Sequence, residues 1–219
     1  MIVSILNQKG GVGKTTLAVH LARYFTKKGE RTMLIDSDSQ GSSMDWHERS
    51  NGDLVQTVGQ PALTLPQDVK KYKEMGIKWI FIDGVPQVSA KTASAIKASD
   101  IVLIPVQPSP YDVWASSEIV ELVKTHQAMA FNRPYAAFVI SRKIVNSNLG
   151  KDVHESLQGY ELPVFKSVTC QRVVYPHSAN IGSTVLDMGN DAKEAAYEIE
   201  EIAKELEGIA YDINSGQKA

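Results

Sequence analysis

The sequence contains one cysteine, Cys170, among 219 residues. A single thiol excludes a disulfide framework within the chain, and it also excludes a zinc site or a metal cluster held by several cysteines of one chain. Proteins with so little cysteine are typical of a reducing compartment. We therefore expect the protein to be cytoplasmic.

The sequence also lacks an excess of charge of one sign, and it lacks long hydrophobic runs. The 23 basic and 25 acidic residues give a formal net charge of −2, so the whole molecule has no electrostatic attraction to nucleic acid or anionic lipid. Nowhere do about 18 apolar residues follow one another, as a membrane span requires. The initial run MIVSIL is too short for a secretory signal. We expect no membrane association, and any contact with DNA would need a local basic patch.

Apolar, β-rich segments alternate with helical patterns along the chain. Strands that are apolar throughout are those covered on both faces, and this alternation is typical of a parallel sheet wound by helices. The pattern predicts an α/β fold with a single doubly wound, mostly parallel sheet flanked by helices. The predicted strands are 2–6, 31–36, 78–83, 101–106, 135–141 and, more weakly, 163–168; the predicted helices are 14–28, 89–98, 112–130, 147–158 and 190–207.

The length predicts one domain, which we place at residues 1–210. Since the chain begins at a strand, we expect no DNA-reading domain before it. Residues 42–66 lack periodicity and are rich in turn-forming residues, so we expect a mobile loop there. The last helical pattern has an acidic polar face, which favours packing on the sheet over a membrane anchor. The tail, 211–219, is expected to be disordered.

The segment NQKGGVGKTT, residues 7–16, lies between the first predicted strand and the first predicted helix. It matches the phosphate-loop pattern G-x-x-x-x-G-K-[ST] except at Gln8, where the first glycine should stand. In such a loop, backbone N–H groups surround the phosphates, and the helix dipole adds positive potential. The residues predicted to surround the phosphates are Gly10, Gly11, Val12, Gly13 and Lys14.

The same pattern assigns three side chains. We predict that Lys14 contacts the β- and γ-phosphates, that the Thr15 hydroxyl ligates Mg²⁺ and that Thr16 lies near the α-phosphate. ATP and Mg²⁺ are the predicted cofactors. The alternative is a glycine-rich turn without a ligand. Strand, loop and helix in this order predict a P-loop NTPase.

The segment KGGVGKTT also resembles the deviant Walker A motif of the ParA/MinD superfamily of P-loop ATPases, whose signature lysine stands at the position of Lys9. The resemblance implies that Lys9 reaches across a nucleotide-sandwich homodimer to the phosphates of the other subunit. A lysine in that position would neutralise phosphate charge at the interface and make dimerisation depend on the γ-phosphate. The alternative is a solvated loop lysine.

Two acidic segments complete the predicted phosphate site. MLIDSDSQGSS ends the second strand at Asp36 and places Asp38 two residues further, and it resembles the family's DxDPQ segment with Ser39 in place of proline. The resemblance implies that Asp38 orients the attacking water and that Asp36 lies near the water shell of Mg²⁺. WIFIDGVP ends a hydrophobic strand at Asp83, as a Walker B carboxylate would, and predicts a metal role for Asp83. The alternatives are an Asx-rich turn for the first segment and a turn or helix-capping aspartate for the second.

The resemblance extends over nearly the whole chain. IVLIPVQPSPYDVWAS (101–116) resembles the family segment that follows the Walker B strand. VISRK (139–143) resembles the strand that ends beside the adenine, and VTCQRVVYPHSANIGSTV (168–185) resembles the segment that closes over the base and ribose. These two matches imply base-side positions for Arg142, Thr169 and Gln171.

The branch that the sequence most resembles is that of the short plasmid-partition ATPases. The resemblance implies an ATP-dependent dimer that binds nonspecific DNA, is nucleoid-associated when ATP-bound, and hydrolyses ATP to ADP and phosphate under stimulation by a ParB-like partner to segregate plasmid or chromosome DNA. Individually, the candidate DNA contacts could equally be solvated surface charges. They are Arg142, Lys143, Lys151, Lys166 and Arg172.

Three alternatives stay open at this point. The same chemistry could position another cargo, such as a chemoreceptor cluster or a protein organelle, because a partner outside this sequence selects the cargo. The protein could be a nucleotide-gated scaffold or regulator with little hydrolysis, against which Asp38 argues. It could also be a small-molecule ligase or kinase on the same fold, which Lys9 makes the least favoured.

Overall fold

The computed structural model describes residues 1–145 and 149–216. Within them, six strands form one sheet in which every pairing is parallel. The strands are β1 (Ile2–Ile5), β2 (Thr32–Asp36), β3 (Gln56–Gly59), β4 (Trp79–Asp83), β5 (Ile101–Val106) and β6 (Tyr135–Ile140). Their order across the sheet is β3-β2-β4-β1-β5-β6. The predicted doubly wound α/β fold is confirmed.

Helices cover both faces of the sheet. They are α1 (Lys14–Lys27), α2 (Ser42–Arg49), α3 (Leu65–Glu74), α4 (Ala90–Ala98), α5 (Pro110–Ala115), α6 (Ser117–Met129), α7 (Leu149–Gln158), α8 (Val174–Asn180) and α9 (Lys193–Ser215). Successive β1 side chains point to opposite faces, so Ile2 packs in the core that includes α3, α4 and α6, whereas Val3 packs in the core that includes α1 and α9. Because both faces are buried, every strand except the edge strand β3 is mostly apolar.

The region 42–66 has more regular structure than its composition predicts. It contains α2, the edge strand β3 and the start of α3, with short connections between them, so most of the region is regular; a mobile loop in one of these connections stays a prediction. Trp46 and Val55 are buried in the core, which fixes this part of the chain on the sheet. The strand β3 is only four residues long and has few apolar residues, which explains why the sequence pattern did not predict it.

The weakly predicted strand 163–168 is not formed. Val164 makes an isolated bridge with Phe138, and the Phe165 N–H donates to the Phe138 carbonyl at 2.9 Å, but the two N–H groups after Phe165 turn away from the sheet. Lys166 and Ser167 donate these N–H groups to the Glu205 carboxylate at 2.9 and 3.1 Å. A helix side chain therefore replaces the neighbouring strand as hydrogen-bond acceptor.

Two predicted helices differ from the structure by more than a few residues, the one at 112–130 and the last one. The predicted helix 112–130 is divided at Ser116 into α5 and α6, and for 147–158 the structure begins at Leu149, since 147 and 148 lie outside the described residues. The last helix continues to Ser215, so disorder was wrongly expected for 211–215; residues 217–219 lie outside the described part. Buried Leu206 and Ala210 extend the apolar stripe of α9 towards its end.

Candidate active site

A cavity of about 650 Å³ opens where the strands end at their carboxyl edge. This volume suits a small-molecule ligand, and the carboxyl edge of a doubly wound sheet is where such folds form binding sites. Most of the predicted site residues line it: Gly10, Gly11, Gly13, Lys14, Thr15, Thr16, Asp38, Arg142, Thr169 and Gln171. The others, Lys9, Val12, Asp36 and Asp83, lie outside its lining.

The loop between β1 and α1 depends on two glycines with left-handed backbone angles. Gly11 has φ of 76° and Gly13 has φ of 94°, a region that side chains with a Cβ rarely adopt. Gly13 directly precedes α1, whose first turn has no side-chain cap. The N–H groups at this helix start are therefore available to an anionic ligand.

Lys14 lies at the bottom of this loop and is only 8% exposed. Its Nζ donates a hydrogen bond to the Lys9 carbonyl at 3.0 Å. Burial lowers the pKa of Lys14, while the Asp83 and Asp38 carboxylates act in the opposite direction. Because this buried ammonium donates to a carbonyl and not to a carboxylate, its positive charge remains available to bind an anion.

Asp36 anchors the segment that carries Asp38. Its Oδ1 accepts the Asp38 N–H at 3.1 Å, and its Oδ2 accepts the Ser43 and Met44 N–H groups at 2.8 and 3.0 Å. Burial raises the pKa of Asp36, and these backbone hydrogen bonds oppose the rise. Since backbone donors occupy both oxygens, the geometry gives Asp36 a positioning role; its place near the Mg²⁺ water shell stays a prediction.

Asp83 lies beside Asp36 in the paired strand and is 2% exposed. Its Oδ2 accepts the Ser43 hydroxyl at 2.8 Å. Burial raises the pKa of Asp83 to about 6, while the nearby Thr15 and Ser43 hydroxyls act in the opposite direction. Its Oδ1 is buried and has no hydrogen-bond partner in the described structure. An unpartnered carboxylate oxygen close to a threonine hydroxyl has the chemistry that Mg²⁺ prefers.

Lys9 points away from the cavity and towards α5. Its Nζ forms an ion pair with Asp112 Oδ2 at 2.7 Å; the Lys9 side chain is 41% exposed and that of Asp112 is 4% exposed. The preceding residue, Gln8, also contacts α5 through the Ala115 carbonyl. The structure therefore connects the phosphate loop to α5, a contact that the sequence did not predict, although Asp112 lies within the matched segment 101–116.

The wall opposite the phosphate loop comes from the chain after β6. Arg142, at φ of 54°, donates its N–H to Thr169 Oγ1 at 3.2 Å and its Nη1 to the Gly11 carbonyl at 2.9 Å. The Gln171 N–H donates to the Lys143 carbonyl at 2.9 Å. The three predicted base-side residues thus lie on one wall, although their contacts with a base stay predictions.

Sequence reasoning missed the remaining side chains of the site. They are Ser42, Ser43, Asp112, Ser141, Cys170, Arg172, Val173, Tyr175, Pro176 and Ala179. Several lie in the matched segment 168–185, but which of them face the cavity depends on packing against other helices. Of the candidate DNA contacts, Arg142 and Arg172 line this cavity, and the Lys151 side chain lies outside the described residues.

The chain is similar to known proteins over most of its length. A family model described as CobQ/CobB/MinD/ParA nucleotide binding domain matches residues 3–185. Two relatives are named "Maintenance of carboxysome distribution protein A". The one from Halothiobacillus neapolitanus is 29% identical over 93% of this chain and 95% of its own. The one from Gloeobacter kilaueensis is 31% identical over 94% of each. The sporulation initiation inhibitor protein Soj of Bacillus subtilis is 25% identical over 84% of this chain and 90% of its own.

Solved structures support the same fold. Apo McdA from Cyanothece superposes with a TM-score of 0.76 at 17% identity, covering 91% of this chain and 98% of that one. The MinD cell division protein from Aquifex aeolicus gives 0.73 at 18% identity, covering 95% and 97%. Throughout the ranges 1–145 and 149–216, every helix is too short or too polar to cross a membrane.

Proposed function

We propose that this protein, which belongs to the CobQ/CobB/MinD/ParA nucleotide-binding family, positions a protein organelle inside the cell. Its family membership makes it an ATPase of the ParA/MinD type. The observation that carries the proposal is the likeness to two carboxysome distribution proteins, which spans at least 93% of this chain and 94% of theirs. The sequence alone placed plasmid segregation first. The relatives support the alternative of cargo positioning.

We propose that the cavity holds ATP with its phosphates on the loop between β1 and α1. Support comes from the left-handed Gly11 and Gly13, the uncapped helix start and the buried Lys14. The Thr15 hydroxyl and the Asp83 carboxylate would hold Mg²⁺, since Asp83 Oδ1 is buried without a partner in the described structure. When bound there, Mg²⁺ would neutralise phosphate charge.

In this proposal Asp38 orients the water that attacks the γ-phosphate. It lines the cavity, and its charge acts on Lys14, which places it on the phosphate side. The Asp36 carboxylate fixes the Asp38 N–H and the start of α2, so the segment has a defined position before a ligand binds. Positioning of this kind is the main contribution a protein makes to phosphoryl transfer.

We further propose that ATP converts the protein to a homodimer in which Lys9 leaves Asp112 and contacts the phosphates of the other subunit. The Lys9 side chain is 41% exposed, so water screens the ion pair, but Asp112 is 4% exposed and loses its ammonium partner in this exchange. Contacts of Lys9 with the phosphates of the other subunit would have to offset that cost. The dimer would hold nonspecific DNA electrostatically, which makes it nucleoid-associated. A partner protein bound to the cargo would then accelerate hydrolysis and release the dimer from DNA.

The test is retention on a surface of nonspecific duplex DNA with ATP, with ADP and without nucleotide, at two salt concentrations. We expect retention with ATP alone, weakening steeply as salt rises, because phosphate contacts release counterions. The Asp38→Ala variant should stay bound longer after ATP is washed out. Equal retention in all three nucleotide states, or none in any, would contradict the ATP-controlled use of DNA.

Segregation of plasmid or chromosome DNA is the second candidate, supported by the likeness to the chromosome partitioning protein ParA of Myxococcus xanthus, which is 24% identical over 84% of this chain and 80% of its own. Deleting the gene separates the two functions. Clustered protein organelles with normal DNA inheritance would support the proposal. Loss of plasmids or chromosomes with normally spaced organelles would support segregation.

A further inference from the structure

Glu198 of α9 lies behind the cavity wall and contacts three residues that line the cavity. Its Oε2 accepts the Cys170 N–H and the Tyr175 hydroxyl, both at 2.9 Å, and its Oε1 accepts Arg172 Nε at 2.7 Å. The Glu198 side chain is only 10% exposed and is not part of the lining. One carboxylate therefore joins three points of the wall to α9.

Backbone hydrogen bonds connect the start of the wall segment 169–175 to the chain at the end of β6: the Thr169 N–H donates to the Ile140 carbonyl at 3.1 Å and the Gln171 N–H to the Lys143 carbonyl at 2.9 Å. From Arg172 to Tyr175, the contacts with α9 come from side chains. The backbone contact of Cys170 with the sheet side is an isolated bridge to Lys143, and regular structure resumes only at Val174, where α8 begins. A segment that lacks continuous backbone hydrogen bonds to a strand depends on side-chain partners for its geometry. Hydrogen bonds to a charged group are stronger than those between neutral groups.

The Glu198 carboxylate favours the protonated forms of Tyr175 and Arg172, so both side chains remain hydrogen-bond donors. Burial and the Glu198 carboxylate raise the pKa of Tyr175, so its hydroxyl stays protonated and donates. The hydrogen bond with Glu198 raises the pKa of Arg172 as well. A shorter side chain at position 198 would leave the half-buried Cys170 N–H and the Arg172 guanidinium without this acceptor.

We propose that Glu198 is a positioning residue for nucleotide binding, which fixes the wall segment 169–175 in the geometry that receives the part of the nucleotide beyond the phosphates. This inference rests on the proposed function, because it takes the cavity to be the ATP site. It assigns no chemical step to Glu198. Loss of Glu198 is therefore expected to weaken binding and to leave the chemistry of the phosphate side intact.

Glu205 provides a matched control on the same helix. It lies seven residues, or two turns, after Glu198, and its carboxylate likewise accepts two backbone N–H groups, from Lys166 and Ser167. Neither of these residues lines the cavity. Glu205→Ala therefore removes a comparable support from the neighbouring segment without changing the wall.

The experiment compares the wild-type protein, Glu198→Ala, Glu198→Gln and Glu205→Ala in ADP binding by calorimetry, in ATP hydrolysis and in thermal unfolding. We expect Glu198→Ala to raise the ADP dissociation constant and KM for ATP by about tenfold, with kcat within about twofold of wild type. Glu198→Gln retains one acceptor oxygen, so an intermediate change is expected. Glu205→Ala should lower Tm without changing either binding constant.

The outcomes separate this inference from the proposed function. If the wild-type protein binds ADP and both Glu198 variants bind it equally well, the positioning role is contradicted, whatever their Tm. An equal loss of binding in Glu205→Ala would also contradict it, because the effect would then come from general destabilisation. If the wild-type protein itself does not bind ADP, the proposed function is wrong, and the inference with it.

Discussion

The two sides of the cavity are built in different ways. The phosphate side is built mainly on one contiguous segment, 7–16, whose geometry is defined by backbone angles at Gly11 and Gly13 and by the start of α1, with Asp38 and Asp83 added from the ends of two neighbouring strands. The opposite wall combines residues after β6 with the segment 169–179, and α9 supports it through Glu198. The first side is thus specified locally, whereas the second depends on contacts between distant parts of the chain.

This difference divides the work of binding. Backbone N–H groups and a buried lysine recognise phosphate groups in any nucleotide, so the local segment is expected to supply affinity and chemistry. The opposite wall is made of side chains, whose shape and polarity differ from residue to residue. We therefore expect it to determine how well the part of the ligand beyond the phosphates fits. Substitutions on the two sides should then affect different kinetic constants.

The largest effect is expected from Lys14→Ala, which removes the buried ammonium from the phosphate side. We expect ATP hydrolysis to fall by about 10²- to 10³-fold, as for the loss of a preorganised charge at a developing negative charge. Phosphate release measures this effect. Lys28→Ala is the control, since Lys28 is an exposed lysine just after the same helix, paired with Glu207 on the surface. Hydrolysis by Lys14→Ala within tenfold of wild type would show that the phosphate side works in another way.

A second effect concerns stability and follows from the burial of Asp83. Because its folded-state pKa is raised to about 6, Asp83 contributes stability that is present below pH 4 and lost as the pH rises through 6. Asp83→Asn removes this loss, so the nucleotide-free variant should be more stable than wild type at pH 7 by up to ~3 kcal/mol and no more stable at pH 4.

Denaturant unfolding of both proteins at each pH measures this difference. The comparison with wild type is needed because His20 has the opposite pH dependence: burial lowers its pKa to about 4, so its contribution is lost as the pH falls. Subtracting the two curves cancels the His20 contribution, provided that the two sites act independently. A difference that does not change between pH 4 and pH 7 would show that Asp83 ionises normally.

A smaller effect is expected where the two sides meet. Arg142→Ala removes the hydrogen bond from Arg142 Nη1 to the Gly11 carbonyl but leaves the backbone contact with Thr169 in place. We expect KM for ATP to rise by about threefold, as for one exposed hydrogen bond, with kcat unchanged. Steady-state kinetics tests this, and a fall in kcat with constant KM would assign Arg142 to the chemistry instead.

The smallest effect is expected at the Lys9–Asp112 ion pair. Asp112→Asn removes the charge that holds Lys9 against α5, so less free energy is needed to move Lys9 towards a second subunit. We expect half-maximal dimerisation at an ATP concentration about two- to threefold lower, because water screens the 41% exposed Lys9 side chain although the Asp112 carboxylate is buried. Light scattering across an ATP titration measures this. An unchanged midpoint would show that Asp112 does not restrain Lys9.

The same division explains how far the sequence predicted the molecule. The sheet and the phosphate loop were predictable because apolar strands, a glycine-rich turn and a helix start are adjacent in the chain. The strand β3 was not, since it is short and lies at the edge of the sheet. Segment 163–168 has the sequence pattern of a strand, but its Lys166 and Ser167 N–H groups donate to Glu205, about 40 residues away. Ser43, Asp112 and Glu198 were missed for the same reason, because each acts on a residue that lies far away in sequence.

The central claim is that ATP converts this protein into a dimer through Lys9. Light scattering with ATP, for wild type and for Lys9→Ala, tests it most directly when nucleotide binding is measured on the same samples. We predict that ATP doubles the mass of the wild-type protein, whereas Lys9→Ala still binds ATP but remains a monomer. A Lys9→Ala protein that dimerises at the same ATP concentration as wild type would contradict the claim.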